Sequence, residues 1–299
     1  MVKLGSIDLG SNSTRILIAE VSQDKFDIIE RKHIVTKMSE DLESTGEISI
    51  NATKRVFSAL RSFKKLLFKH EVENISVIGT AAIRDAGNSG IFIENIKKKF
   101  GFDVEVLSGY EEGITTSIGV LHFMQNLKNF LIVDIGGRST EFIYDVKNKI
   151  NCMSINLGVV TLTEKYFSDL PSNKDLINKA NLEITKELSN LPIPSNTKLI
   201  GVSGTALSLA SIYKKQHKFN EDELHNLELQ IQNIQEINHQ LLEMTESEIL
   251  TKFQGIDPKR AGSITSGVFL LEKIISQYNN SSIIISKNDI LEGLILKKY

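Results

Sequence analysis

Two octapeptides in this chain have the residue types and spacing to hold phosphate. Ile7-Asp8-Leu9-Gly10-Ser11-Asn12-Ser13-Thr14 lies near the start, and Val133-Asp134-Ile135-Gly136-Gly137-Arg138-Ser139-Thr140 lies in the middle. Each ends an apolar run with an aspartate, then a hydrophobic residue, a glycine and small hydroxyl residues. Such a segment reads as a buried strand with a carboxylate at its tip, followed by a tight turn whose backbone amides can face phosphate oxygens. Aligned on the aspartates, positions 8 and 134, 10 and 136, 13 and 139, and 14 and 140 are identical pairs. One copy alone is ordinary turn punctuation. Two copies predict a polyphosphate clamp built from Gly10, Ser11, Asn12 and Ser13 on one side and Gly136, Gly137, Arg138, Ser139 and Thr140 on the other, with a duplicated structural hairpin as the competing reading.

Asp8 and Asp134, approaching across a cleft, would tolerate one another only with a cation or a proton between them. Hard oxygen ligands select magnesium, with manganese as the alternative, and Glu141 is a further candidate ligand or water-holder. The bland reading of Glu141 is a solvated carboxylate at a strand edge. Transfer of a phosphoryl group to water also needs a base and a cationic group for the equatorial oxygens. Glu111, after a strand and a Ser-Gly turn, is the candidate base; the competing reading is that it and Glu112 merely complement the positive end of a helix dipole. Arg84, in a loop after a strand, could reach the transferring phosphate or lie in solvent. The histidines at 33, 70, 122, 217, 225 and 239 form no His-Glu-x-x-His and no His-Asp pair, so histidine-based metal hydrolysis is unsupported. No Gly-x-x-x-x-Gly-Lys-Ser/Thr loop is present, which removes the usual mononucleotide fold.

The elements that must position these residues alternate between strand-like and helix-like. Lys3 to Asp8, Arg15 to Val21 and Phe26 to Arg31 read as strands of a hairpin-rich opening. Val56, Leu60, Phe63 and Leu67 form the apolar stripe of a helix over 52 to 70, whose basic residues, including Lys64 and Lys65, read as a solvated face. A strand at Ile75 to Gly79, a loop from Thr80 to Asn88, a helix from Ser89 to Gly101 and a strand at Asp103 to Leu107 follow. From Phe130 the pattern restarts, and strand Lys198 to Val202 empties into Ser203-Gly204-Thr205, where Gly204 and Thr205 are further phosphate candidates. Helices are predicted at about 224 to 244, at 246 to 253 behind a Thr245/Glu248 capping box, and from Asp257 to Tyr278. Strands separated by crossover helices argue for an α/β fold with a mixed, largely parallel sheet.

With 299 residues, 41% hydrophobic and 24% charged, the chain is globular and large enough for two domains. A formal net charge of −2 provides no global basic field for nucleic acid. No apolar run approaches the roughly 20 residues that cross a bilayer. Cys152 is the only cysteine, which suits a reducing compartment, and no leader precedes the first strand, so a cytoplasmic protein is expected.

Ile7 to Arg15, Gly79-Thr80 to Arg84, Ser108-Gly109-Tyr110-Glu111-Glu112, Val133 to Glu141, Leu157-Gly158 and Gly201-Val202-Ser203-Gly204-Thr205 occur in the order and spacing of the exopolyphosphatase and guanosine pentaphosphate phosphohydrolase family. Ile256 to Ala261 and Asp289-Ile290-Leu291-Glu292-Gly293 also resemble it, so the resemblance spans the chain. It implies two actin-like, ribonuclease-H-like α/β lobes around a central cleft, here 1-119, rejoined by 288-299, and 120-287. It implies magnesium-dependent hydrolysis of terminal phosphates of inorganic polyphosphate, of guanosine pentaphosphate, or of both, with room for a homodimer. It further implies that Glu111 activates water, that Asp134 and Glu141 manage metal and water, and that Arg84 contacts phosphate. The family's additional helical domains, which extend a channel for long polymers, lie outside this sequence, so shorter substrates are expected. Where the family has a third glycine, this chain has Arg138. If that position needs a positive φ, a side chain costs roughly 1 to 2 kcal/mol; Arg138 then either adds a phosphate contact, the expected outcome, or crowds the turn. A non-hydrolysing sensor of the same ligands and an ATPase or kinase of the same fold are the rival readings.

Overall fold

Leu4 to Leu9 are all buried, the polar Ser6 and Asp8 included, so strand β1 (Val2–Leu9) is covered on both faces as only an interior strand is. In the computed structural model, which describes residues 1–124, 127–147, 149–194 and 197–299, β1 lies at the centre of a five-stranded sheet. Antiparallel β2 (Ser13–Ser22) and β3 (Lys25–Val35) continue it on one side, and parallel β4 (Asn74–Gly79) and β5 (Val104–Val106) on the other.

The parallel pairings require crossovers, and helices provide them. Helix Ile50–Lys69 buries Val56, Leu60, Phe63 and Leu67, the stripe read from the sequence, against the sheet. Helix Ser89–Phe100 stops at Gly101, whose φ of 76° is left-handed. The segment expected as a loop from Thr80 to Asn88 contains a single helical turn, Ala81–Asp85, because Ala81, Ala82 and Ile83 are apolar and buried. Helix Gly109–Phe123 packs on the last helix, Ile290–Lys298. Their backbones meet where a Cβ on Gly119 would strike the Asp289 carbonyl and one on Gly293 the Thr115 carbonyl. These residues form one unit, Met1–Phe123 with Asp289–Tyr299.

The second unit, Met124–Asn288, repeats the plan. Its meander is β6 (Phe130–Ile135), β7 (Thr140–Val146) and β8 (Lys149–Ile155), and parallel β9 (Lys198–Val202) flanks β6. Beyond β9 come antiparallel β10 (Glu228–Gln230) at the edge and β11 (Ser282–Ile285) between them, giving the order β10-β11-β9-β6-β7-β8. Strand β10 corrects the helix expected over 224 to 244. Leu229 is buried in a ladder with Ile283, and the helix begins only at Ile231. The Thr245/Glu248 capping box is present, whereas the segment after Asp257 opens as a 3-10 turn, Pro258–Arg260, before helix Ala261–Gln277. Each unit has its own apolar core. Among the described residues no helix is long and apolar enough to cross a membrane.

Candidate phosphate and metal site

The hairpin after β1 sets Asp8 directly across from Arg15. Arg15 Nε and Nη2 both donate to Asp8 Oδ2, at 3.0 and 2.8 Å, and Nη1 donates to Asp289. On the neighbouring strand Arg31 donates to Glu292. Asp289 and Glu292 cap the last helix reciprocally: Asp289 Oδ1 accepts from Leu291 N at 3.1 Å, and Glu292 Oε2 from Asp289 N at 2.9 Å. A buried network of alternating charge thus joins the first turn to the C-terminal helix within the first unit. Burial raises the Asp8 carboxyl above its ordinary value even against Arg15. Burial would raise Asp289 too, yet Arg15 and Arg31 together hold it down. Glu292 is pushed up to about 7, by burial first, with Asp289 adding and Arg31 opposing. Asp8 Oδ1 is buried and receives no hydrogen bond among the described residues.

The two turns have the same closure. Gly10 N donates to Ser13 O at 3.0 Å, and Gly136 N to Ser139 O at 2.9 Å. Neither glycine is left-handed. Gly10 is required by close approach, since a Cβ would lie 2.8 Å from Ser13 O; at Gly136 it would lie 3.1 Å from Ser139 O, a tight contact that a small shift relieves. In the first turn Ser11 O accepts from Ser39 N, and Asn12 O from Thr36 N and Lys37 N. In the second, Gly136 O accepts from Val159 N and Gly137 O from Val160 N. With these carbonyls used internally, what the turns offer an anion is N–H groups. Ser11 Oγ accepts from Ala82 N at 3.1 Å, tying the first turn to the helical turn that carries Arg84. Thr140 Oγ1 donates to Leu157 O at 2.6 Å, so this hydroxyl shapes the second turn. Gly158 supports the same turn from below, where a Cβ would lie 2.5 Å from Gly137 C and 2.6 Å from Arg138 N. Arg138 is half-buried and has no left-handed backbone, so the strain considered from the sequence does not arise.

In the second unit the residue across from the tip aspartate is a carboxylate. Asp134 pairs with Glu141, and Glu141 in turn with Ser154, whose Oγ donates to Glu141 Oε1 at 2.7 Å. Glu141 is 1% exposed, which removes the reading of a solvated strand-edge residue. Direct cross-strand partners share one face of the sheet, and like charges so placed repel. At the end of β9, Ser203 is left-handed at φ 62°, an uncommon state for a side-chain-bearing residue. The Arg260 guanidinium lies against Gly204, in the space a Cβ would take, and Thr205 is buried beside them.

Arg84 is placed by Leu107 O, to which Nη1 donates at 2.7 Å, and by Glu112 at 3.8 Å. The structure therefore brings Arg84 to the start of the helix that bears Glu111. The Glu111 side chain turns back on its own helix: Oε2 accepts from Ser108 N at 2.8 Å and Ser108 Oγ at 2.7 Å, and Ser108 Oγ accepts from Glu111 N. This reciprocal cap lowers the Glu111 pKa, through the Ser108 amide first and its hydroxyl second. Glu111 is exposed and ionised.

Arg15, Arg31, Asp289, Glu292, Ser154 and Arg260 were given no role from the sequence. For Arg15 a signal existed, because a turn centred on residues 11 and 12 must set residue 15 across from residue 8. No three His, Cys, Asp or Glu converge into a ready-made metal cage among the described residues. Magnesium does not need one, since it keeps several waters and takes one or two carboxylates plus substrate oxygens. In the second unit the cross-strand carboxylates of Asp134 and Glu141 fit that chemistry.

A model of the Ppx/GppA phosphatase family matches residues 17–299. The chain is 32% identical to a bifunctional 3-dehydroquinate synthase/phosphatase of Fusobacterium nucleatum, over 98% of this chain and 46% of that protein. It is 28% identical to a guanosine-5'-triphosphate,3'-diphosphate pyrophosphatase of Vibrio cholerae, over 97% of this chain and 58% of that one. The chain thus spans about half the length of these curated relatives. A solved exopolyphosphatase of Cytophaga hutchinsonii superposes with a TM-score of 0.89 at 25% identity, covering 99% of this chain and 97% of the other.

Proposed function

Because this chain belongs to the Ppx/GppA phosphatase family, we propose that it is a hydrolase of terminal phosphoanhydride bonds in inorganic polyphosphate, in guanosine pentaphosphate, or in both. The observation that carries this reading is the twin turn with unlike partners: Asp8 faces a cation, Arg15, and Asp134 faces an anion, Glu141. In the first unit the tip carboxylate is neutralised by the protein itself. In the second, two carboxylates share one face of the sheet, the hard oxygen set that suits magnesium, so Asp134 and Glu141 would hold the ion, with Ser154 fixing the Glu141 carboxylate. Bound there, a divalent ion would neutralise charge on the phosphate that reacts.

The chain's own residues supply the remaining functions. Beyond Gly10 and Gly136, whose amides close the turns, amides of each turn receive phosphate oxygens, as does the start of the helix at Gly204 and Thr205. Arg84 and Arg138 add cationic donors suited to paired oxygens. Glu111, ionised but of lowered basicity, orients the attacking water and accepts its proton as the bond to the leaving phosphate breaks. Metal-dependent phosphate release from tripolyphosphate, long polyphosphate and guanosine pentaphosphate, offered side by side with ATP, tests the reading. Release from ATP alone would sink it. The engagement of Glu111 with Ser108 favours one second reading, a sensor that binds these anions without hydrolysis; binding of tripolyphosphate with no release under any divalent ion would establish it.

A further inference from the structure

Helix Ile50–Lys69 carries Lys54, Arg55, Arg61, Lys64, Lys65 and Lys69 and no carboxylate; helix Ser89–Phe100 adds Lys97, Lys98 and Lys99 against Glu94 alone. In a chain whose formal net charge is −2, that is a segregated positive field. The two helices pack together: the Phe57 and Phe100 rings lie 5.5 Å apart, and Lys64 Nζ donates to Phe100 O at 2.9 Å. Where they meet, Arg61, Lys64, Lys65 and Lys99 line an open hollow of about 410 Å³ with Phe68 and Phe100, and no carboxylate stands in its wall.

Internal pairing decides which of these cations remain available. Lys97 is matched by Asp103 and Lys98 by Glu94. Arg61 and Lys65 meet no carboxylate among the described residues, and both are exposed. They are four positions apart on one helix face, where like charges repel. An anion in the hollow would relieve that repulsion. The helix also reaches the first turn: Arg55 donates to Thr36 O and Lys37 O, whose own amides donate to Asn12 O. The hollow, from Arg61 to Phe68, lies about 9 to 20 Å farther along the same helix.

We propose that this hollow is an exosite for an extended inorganic polyanion, the distal segment of a long polyphosphate chain, an assignment that rests on the hydrolase reading for its substrate. Only a long chain engaged at the first turn would extend to it, so short substrates would not depend on it. A membrane surface fits poorly, because Val56, Phe57, Leu60, Phe63 and Leu67 are turned into the core and leave no broad apolar face. Single-stranded nucleic acid fits less well, because its sites offer successive aromatic platforms and this one exposes a single ring, Phe68 at 88%.

The test is the Arg61→Glu, Lys65→Glu double variant of the full chain. Binding of end-labelled long polyphosphate and of tripolyphosphate is measured in EDTA, where no turnover occurs, and KM for both is then measured with magnesium. Long-chain binding is expected to weaken about tenfold, with a matching rise in KM, from loss of two exposed ionic contacts and introduction of repulsion. Tripolyphosphate binding and kcat are expected to stay within about twofold of the parent, as surface pairs contribute little to stability. Unchanged long-chain binding would overturn the exosite, as would equal losses for long and short chains. Tighter, residue-dependent binding of a single-stranded RNA of matched charge would overturn the choice of polyphosphate. If the parent hydrolyses neither substrate yet binds the long chain through Arg61 and Lys65, the exosite stands and the hydrolase reading falls.

Discussion

Glu141 stands directly across the β6–β7 ladder from Asp134, carboxylate beside carboxylate on one face of the sheet, and is buried there. The corresponding residue of the other turn is Arg15, which neutralises Asp8 through two hydrogen bonds. A duplicated element has thus kept its backbone and changed the sign of one side chain. Two carboxylates on one face at the tip of a phosphate-type turn are the oxygen donors that a divalent cation takes.

Metal removal and replacement follow from that pair. Glu141→Gln is expected to abolish the rise in Tm that magnesium gives the parent. Ser154→Ala, which frees Glu141 Oε1 from its donor, is expected to weaken magnesium binding about tenfold by calorimetry. An identical magnesium increment in parent and Glu141→Gln would refute the assignment.

Glu111→Gln separates chemistry from helix capping. Glutamine retains the reciprocal cap with Ser108, so Tm is expected to hold within about 1 °C, the shift given by a few tenths of a kcal/mol. Turnover is expected to fall by at least about 100-fold with tripolyphosphate binding preserved. Unaltered turnover would leave Glu111 as a cap alone.

Arg15→Met leaves the buried carboxylates of Asp8 and Asp289 without their shared cation. Loss of one partner of a buried pair costs on the order of 3 kcal/mol, read from urea unfolding. Adding Asp8→Asn is expected to recover part of it, since the two residues are coupled. A cost under about 1 kcal/mol, the size of an exposed pair, would show that the network contributes nothing beyond surface charge.

Glu292 gives the stability a pH dependence. Its carboxyl is pushed up from 4.5 to about 7, so the native state keeps a proton that the unfolded chain has released. The contribution of this group to stability therefore falls as pH rises from about 4.5 to about 7 and is level above that. Glu292→Gln, which does not ionise, is expected to remove that slope from the urea midpoint measured against pH. Parallel profiles for parent and variant would contradict it.

How far the sequence disclosed this molecule depended on whether contacts were local. The twin turns were legible because their requirements, a strand, a glycine pressed against a carbonyl and small residues after it, lie within eight positions. The pairing of Asp8 with Arg15 was within reach by hairpin register. The bond from Arg15 to Asp289 spans 274 positions, and nothing local announces it. Strand β10 was hidden because Leu227, Leu229 and Ile231 suit either period, and only its distant partner β11 selects extension. Glu111 pointed two ways in the sequence, and its bond to Ser108 shows that capping is at least one of its roles.

Hydrolysis of tripolyphosphate in heavy-oxygen water, with magnesium, tests the central claim most directly. Attack by water on the terminal phosphorus places one heavy oxygen in the released orthophosphate and none in the remaining pyrophosphate. Heavy oxygen in the pyrophosphate, or no release while tripolyphosphate remains bound, would contradict it.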